Sequence, residues 1–305
     1  MNGKPQDCMS VGMIHFMAFP EGAKPGGPTV ETLTKLCADD YFSVVEITSV
    51  KDAETRKRAI EVTQKSGRTV LFGAQPVLLG GKLNLNALDI RERQKAVDAV
   101  RVCIAEAVEW KAQGLAVLSG PVPAPQHRDA AKAMLIASLK ELCEISRRLN
   151  GPPIRLETFD SVPYGKNCLV GPTAEAADLA DKVAAFYPSF GLTLDLSHLP
   201  LLNETAAQAI PAAAGLLRHI HIGNCVMRDP KHPAYGDNHP TFGCPGGEND
   251  VRELTLFLKA LLDAKYIGQG LRNVVSFEIK PYGAQTSDEV LANAKKTLDA
   301  AWAAL

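Results

Sequence analysis

The sequence has no surplus of either charge and no long apolar run, and each absence removes a class of function. Its 33 Lys and Arg balance 34 Asp and Glu, for a formal net charge of −1 at pH 7. A nucleic-acid-binding surface needs a basic excess or a Lys/Arg cluster on one element, and neither is present. No apolar stretch reaches the roughly 20 residues that a membrane helix requires. Residues 1–10 are polar and lack the apolar centre of a secretion signal. The seven cysteines (Cys8, Cys37, Cys103, Cys143, Cys168, Cys225 and Cys244) are odd in number and contain no C-x-x-C pair. That argues against a disulfide framework and against a zinc knuckle, and it leads to the expectation of reduced thiols in a cytoplasmic protein. The glycine fingerprint of a dinucleotide-binding sheet is missing too: FGAQPVLLGG carries its glycines at the wrong spacing and runs on into a loop.

What is present is an alternation. Short runs rich in apolar and β-branched residues recur at 11–20, 42–50, 69–75, 115–120, 154–160, 192–197, 217–222 and 274–280. Segments of helical period follow each of them, at 29–38, 53–66, 89–113, 129–148, 173–186, 204–215, 251–264 and 287–303. Strand-then-helix repetition is the mark of a parallel sheet. Eight such units over 305 residues, with no composition break, fit one closed barrel better than an open doubly wound sheet. The expected fold is therefore α/β, a single (β/α)₈ TIM barrel domain spanning residues 1–305. Two connections exceed the usual βα loop: 75–87, and above all 223–250 after the seventh strand. The second holds His232, His239, Arg228, Asp229 and Asp237. In a barrel the βα loops line the catalytic face, so it reads as a lid over a substrate.

The last four strands each end on an ionisable residue among apolar neighbours. Glu157 stands in IRLETFD, Asp195 in LTLDLSH, His221 in RHIHIGN and Glu278 in VVSFEIKP. A barrel strand is buried on both faces, so a charge there is costly unless it is paired or binds a metal. Four such residues on consecutive strands converge above the barrel mouth. Side chains alternate along a strand, so His219 shares a side with His221 one layer deeper, as a hydrogen-bonding or core residue. Arg155 stands in the same relation to Glu157 and can pair with a neighbouring acid or bind substrate. Three carboxylates and one imidazole suit one divalent ion with open positions, Mn²⁺ first and Mg²⁺ or Co²⁺ as alternatives, more than a closed structural zinc site. Such an ion can act as a Lewis acid towards a sugar carbonyl while a carboxylate removes the neighbouring α-proton.

On these residues the chain resembles the xylose isomerase-like barrel superfamily, especially its sugar epimerase branch. LETFD resembles the family's fifth-strand Glu motif, LDLSH its D-x-x-H element, HIHIGN its H-x-H-x-G element and SFEIKP its final-strand Glu. The resemblance implies that Glu157, Asp195, His221 and Glu278 are metal ligands. It implies that Glu157 and Glu278 also form the acid/base pair, and that His198 binds substrate beside the metal. It assigns substrate oxygens to an Arg after the H-x-H element; the nearest here is Arg228, one position late. Glu46, in VVEIT, matches a second-strand Glu common in the superfamily, with substrate contact and a structural role both open. His15, Gln75 and His127 lie at or just after the ends of the first, third and fourth strands, where each can reach the pocket or support it from behind. His239, like His232, can fold over the substrate from the long loop.

The reaction these readings favour is a metal-dependent sugar isomerisation or epimerisation through proton abstraction α to a carbonyl. The 223–250 segment also resembles the metal-binding subunit of bacterial C-glycoside deglycosidases, which split a 3-oxo-glycoside by β-elimination together with a partner subunit. An abasic-site endonuclease would need more His and acidic ligands and a basic surface, and a non-catalytic sugar-binding barrel would leave the ligand set broken. The expected partners are a small sugar or glycoside and further copies of the chain, or a small β-rich subunit in the deglycosidase case, with no nucleic acid and no membrane.

Overall fold

The computed structural model describes residues 3–160 and 164–305. Its strands are β1 (Ser10–Ile14), β2 (Val44–Ile47), β3 (Thr69–Gly73), β4 (Leu115–Leu118), β5 (Ile154–Glu157), β6 (Gly191–Asp195), β7 (Leu217–Gly223) and β8 (Val274–Glu278). They pair in parallel and in chain order, and β8 closes on β1 to complete the barrel. The helices, in chain order, are α1 (His15–Ala18), α2 (Thr29–Cys37), α3 (Ala53–Ser66), α4 (Gln75–Gly80), α5 (Ile90–Glu109), α6 (Arg128–Arg148), α7 (Thr173–Ala184), α8 (His198–Leu201), α9 (Ala206–Ala213), α10 (Val251–Asp263) and α11 (Ser287–Ala303). Among the described residues, no helix is long and apolar enough to cross a membrane.

The fold is the (β/α)₈ barrel that the alternation predicts. Several helix ends follow from local chemistry. Asp52 accepts a hydrogen bond from Thr55 N at the start of α3, and Gly67 ends that helix at φ +68°. Thr286 and Glu289 cap α11 reciprocally. The strands are shorter than the apolar runs suggest because the chain turns into helix while still apolar. The 11–20 run divides into β1 and α1, and the 75–87 connection opens with α4 rather than irregular loop.

Two features position the barrel mouth. Between β6 and β7 the register shifts: Leu192 pairs with Leu217 but Thr193 with His219, which sets Asp195 level with His221. Without that shift Asp195 would face Ile220. On the other side of β7, Gly223 lies level with Glu278. A Cβ on Gly223 would stand 2.5 Å from the Glu278 carbonyl oxygen and 3.2 Å from His239 Nδ1. Only glycine allows β8 and the loop histidine this close.

The 223–250 segment is built into the fold. Asn224 Oδ1 accepts from Cys225 N at 2.9 Å and from Asn249 N at 2.8 Å, which joins the two ends of the loop. Asn249 Nδ2 donates to Gly223 O at 3.0 Å. Val226, Ala234 and Cys244 bury a small apolar cluster of their own. His239 O accepts from Lys280 N at 2.8 Å and seats the loop on the end of β8. All seven cysteines are free and buried.

Candidate active site

Glu157, Asp195 and Glu278 are the last residues of β5, β6 and β8, and His221 lies two before the end of β7. The structure brings three of these four face to face. His221 Nδ1 is 3.1 Å from Glu157 Oε1 and 2.8 Å from Glu278 Oε2. One ligand atom from each of Glu157, His221 and Glu278 lies within 4.8 Å of the others, close enough to share one ion. Asp195 falls in a second group of that kind, with His198 and His239. The two groups meet where His239 Nε2 is 3.6 Å from Glu278 Oε1. Asp195 itself accepts from Ser197 N at 2.9 Å and from the Ser197 hydroxyl.

Behind His221 stands a third group. Glu46 Oε2 is 3.2 Å from His221 Nε2, and Glu46 Oε1 is 2.7 Å from His219 Nε2. Glu46 therefore takes the back of the His221 ring and leaves Nδ1 aimed at the two carboxylates. This is how metal-binding imidazoles are usually oriented. His219 lies one layer deeper, and its Nδ1 has no partner.

Burial and mutual charge set the ionisation. Burial pushes Glu157 up; the His221 charge opposes this, the Glu278 charge adds to it, and the net direction is up. Glu278 moves the other way: burial raises it, but His239 and His221 outweigh burial and hold it down at about 2. His221 is held well above the usual histidine range, with Glu46, Glu157 and Glu278 overcoming desolvation. Burial lowers His219 to about 4, against the opposing pull of Glu46. Glu46 stays well below the carboxylate range because those histidines outweigh its burial.

The donor set fits a divalent cation. Glu278 Oε2 is buried with no hydrogen-bond partner of good geometry, and it points with Glu157 at one imidazole nitrogen. Hard oxygens with one borderline nitrogen match Mn²⁺, Mg²⁺ or Co²⁺. No cysteine takes part.

These groups open onto a cavity of about 300 Å³ lined by Glu46, Glu157, His221, His239 and Glu278 together with apolar walls that include Phe16 and Phe159. Gln75 lines it too, and its Nε2 donates to Glu157 Oε2 at 2.6 Å. His198 does not reach the cavity. It is buried, with Nδ1 2.7 Å from Thr158 O and Nε2 3.1 Å from Asp237 Oδ1. Burial opposes its charge, but Asp237 and Asp195 raise it to about 10.

His15 bonds Thr32 Oγ1 at 2.8 Å and lines a separate cavity of about 620 Å³ between the loops after β1 and β2. His127 is exposed on a turn before α6. Arg228 lies 83% exposed against Glu248 at 2.7 Å, so the structure does not place its guanidinium at this cavity. His232 stacks on Tyr282 and does not line this cavity. Arg155 reaches the Gln113 carbonyl at 3.3 Å rather than an acid.

Among the polar lining residues, Lys166, Asn238 and Lys280 have no counterpart among the sequence candidates, and Asp237 was singled out only as a member of the long loop. Asp237 is buried and gathers three positive partners: His198, His239 Nε2 at 2.8 Å, and Lys166 Nζ at 2.9 Å. The signal for Lys280 was its position two residues after Glu278, on the same side of an extended chain. Asp237 and Asn238 adjoin His239 in an irregular loop, where no period marks the inward residues.

Comparison with known proteins agrees with this architecture. A family model described as xylose isomerase-like TIM barrel matches residues 32–300. No curated protein sequence matches the chain. Among solved structures, the zinc-bound IOLI protein superposes with a TM-score of 0.73 at 17% identity, over 97% of this chain and 99% of its own. A D-tagatose 3-epimerase-like protein gives 0.71 at 17% identity, over 97% of this chain and 99% of its own. The 3-keto-D-glucoside 4-epimerase YcjR of E. coli gives 0.67 at 14%, over 95% and 98%. At these identities the likeness concerns the fold.

Proposed function

We propose that this chain, which belongs to the xylose isomerase-like TIM barrel family, is a divalent-metal-dependent carbohydrate isomerase or epimerase. The observation that carries the reading is the placement of two carboxylates, Glu157 buried and Glu278 partly buried, 3.1 and 2.8 Å from one imidazole nitrogen at the wall of a sugar-sized cavity. Glu157, Glu278, His221 through Nδ1 and, from the neighbouring strand, Asp195 would hold the ion, with Mn²⁺ the first choice. When bound, the ion supplies Lewis acidity that stabilises negative charge developing on a substrate oxygen.

The chain's own residues do the rest. Glu157 and Glu278 enter the cavity from β5 and β8, so they flank a bound sugar on two sides. One accepts the proton from the carbon next to the carbonyl, and the other donates a proton to the opposite face, which inverts that carbon. Return of the proton to the adjacent carbon gives isomerisation instead. Gln75 orients Glu157 through its 2.6 Å hydrogen bond. Phe16 and Phe159 give the cavity apolar wall that helps exclude water. A cavity of about 300 Å³ lies at the small end of ligand sites and suits a single sugar ring.

A second reading is favoured by the 223–250 segment, which brings Asp237, Asn238 and His239 into the cavity wall. The same proton abstraction on a 3-oxo-glycoside, followed by loss of the β-substituent, would be a lyase reaction, and one structural neighbour is itself a 3-keto-glucoside epimerase.

Incubation in D₂O with Mn²⁺ and a panel of ketoses and 3-oxo-glycosides tests both readings. Deuterium at an α-carbon without loss of a substituent means epimerase or isomerase, and release of the aglycone means lyase. Absence of exchange in every substrate, with Glu157→Gln indistinguishable from wild type, would remove the proton-abstraction reading altogether.

A further inference from the structure

The cavity has a positive end that the proton-transfer chemistry does not use. Lys280 and Lys166 both line it. Lys166 is committed to Asp237 at 2.9 Å, and the other two partners of Asp237, His198 and His239, also face Asp195 and Glu278, so these charges answer one another. Lys280 has no carboxylate partner among the described residues; its Nζ donates only to Asn238 Oδ1, at 3.1 Å. A part-buried ammonium satisfied by one neutral amide is an unusual thing to keep at the wall of a small cavity, and it calls for an anion.

The placement says where on the ligand that anion sits. Ile279 is fully buried and does not line the cavity, whereas Glu278 and Lys280 both do. Two residues of extended chain separate Glu278 from Lys280 by about 7 Å. A sugar whose carbonyl end lies against Glu157 and Glu278 therefore directs its other end at Lys280. The chemistry of the positive end selects the kind of anion. Among the cavity-lining residues it has no arginine, and its donors are ammonium groups. Lys280 is the lining ammonium without a carboxylate partner among the described residues, so this end offers a single uncompensated positive charge, which matches a singly charged carboxylate better than a dianionic phosphate.

We propose that Lys280, with Asn238 and Lys166 beside it, forms a subsite for a carboxylate at the end of the substrate remote from its carbonyl, so that the preferred substrate is a keto-sugar acid rather than a neutral ketose. The inference rests on the proton-transfer reading for the position of the carbonyl end.

The test is a set of binding titrations of the Mn²⁺-loaded protein with fructose, with fructuronate (the same chain oxidised at its last carbon) and with fructose 6-phosphate, each repeated with deuterium exchange in D₂O. Wild type is expected to bind the uronate at least tenfold more tightly than the ketose, the size of one charge-assisted hydrogen bond. In Lys280→Met that ratio falls to about one, and Lys280→Arg keeps part of it. Equal binding of ketose and uronate by wild type overturns the proposal, as does tighter binding of the phosphate than of the carboxylate. Exchange into the ketose with no preference for the uronate leaves the reaction standing and removes the subsite. Preference for the uronate without exchange in any substrate does the reverse.

Discussion

Replacing Glu46 by Gln probes the support behind His221. Glu46 accepts from His219 Nε2 at 2.7 Å and from His221 Nε2 at 3.2 Å, all three side chains being buried. Gln keeps the shape but offers one acceptor and one donor, so its NH₂ must face one of the two histidines. If it faces His221, the ring loses the acceptor that fixes Nε2–H and leaves Nδ1 towards Glu157 and Glu278. Loss of a group that orients a ligating histidine costs about 10- to 100-fold in metal affinity, or about 1.4 to 2.7 kcal/mol. If it faces His219, a ring whose Nδ1 already lacks a partner loses its one hydrogen bond as a donor. Leaving a buried polar group unpaired costs about 1–3 kcal/mol of folding stability. Mn²⁺ titration by calorimetry and urea unfolding of the metal-free protein read the two costs separately. Affinity within twofold of wild type, together with an unchanged urea midpoint, would refute the idea that Glu46 positions His221.

Other consequences are open to similar tests. Gln75→Leu removes the donor at Glu157 Oε2, so the Glu157 carboxyl should rise further and the acid limb of the pH profile for deuterium exchange should move to higher pH; an unmoved limb counts against Gln75 as its orienter. Gly223→Ala places a Cβ 2.5 Å from the Glu278 carbonyl oxygen, and the backbone must shift, for about 1–3 kcal/mol of lost stability in urea and a weaker metal site; an unchanged midpoint would show that β7 and β8 part easily. Glu175 is partly buried, which raises it, but Lys132 and Arg128 bring it below its ordinary value. Its stabilising effect is therefore present above the unfolded value near 4.5 and is lost as pH falls through the lower folded value. Glu175→Gln should cost about 1 kcal/mol or less at pH 7 after solvent screening, and the difference from wild type should shrink in acid.

The barrel and its charged mouth were legible because they obey a period. Short apolar runs alternate with amphipathic segments, and Glu157, Asp195, His221 and Glu278 stand at equivalent ends of successive strands. The bounds of α3 and α11 follow from their patterns residue for residue. α1, α4 and α8 were not legible, being only four to six residues long, too short for a helical period to show. The grouping of these four side chains was only partly legible. Alternation places Glu157, His221 and Glu278 together, but the β6–β7 register shift and the Ser197 hydroxyl, which decide the surroundings of Asp195, leave no mark in composition. Loop side chains were least legible. Asp237, Asn238 and Lys166 enter the cavity while Arg228, in the same loop as Asp237, turns to Glu248, and that choice depends on how Asn224 and Asn249 fold the segment. Lys280 was within reach of the strand period two residues beyond Glu278.

The central claim is that one divalent ion is held where Glu157, His221 and Glu278 meet. Among the described residues, two other groups of side chains that could hold a metal lie within a few ångströms, Glu46–His219–His221 and Asp195–His198–His239. Anomalous diffraction from crystals of the Mn²⁺-loaded protein, recorded at the manganese edge, separates them. The account predicts one peak at about 2.0–2.3 Å from His221 Nδ1 and from oxygens of Glu157, Glu278 and Asp195. A peak on His221 Nε2 beside Glu46, or no bound manganese in protein that catalyses exchange, would contradict it.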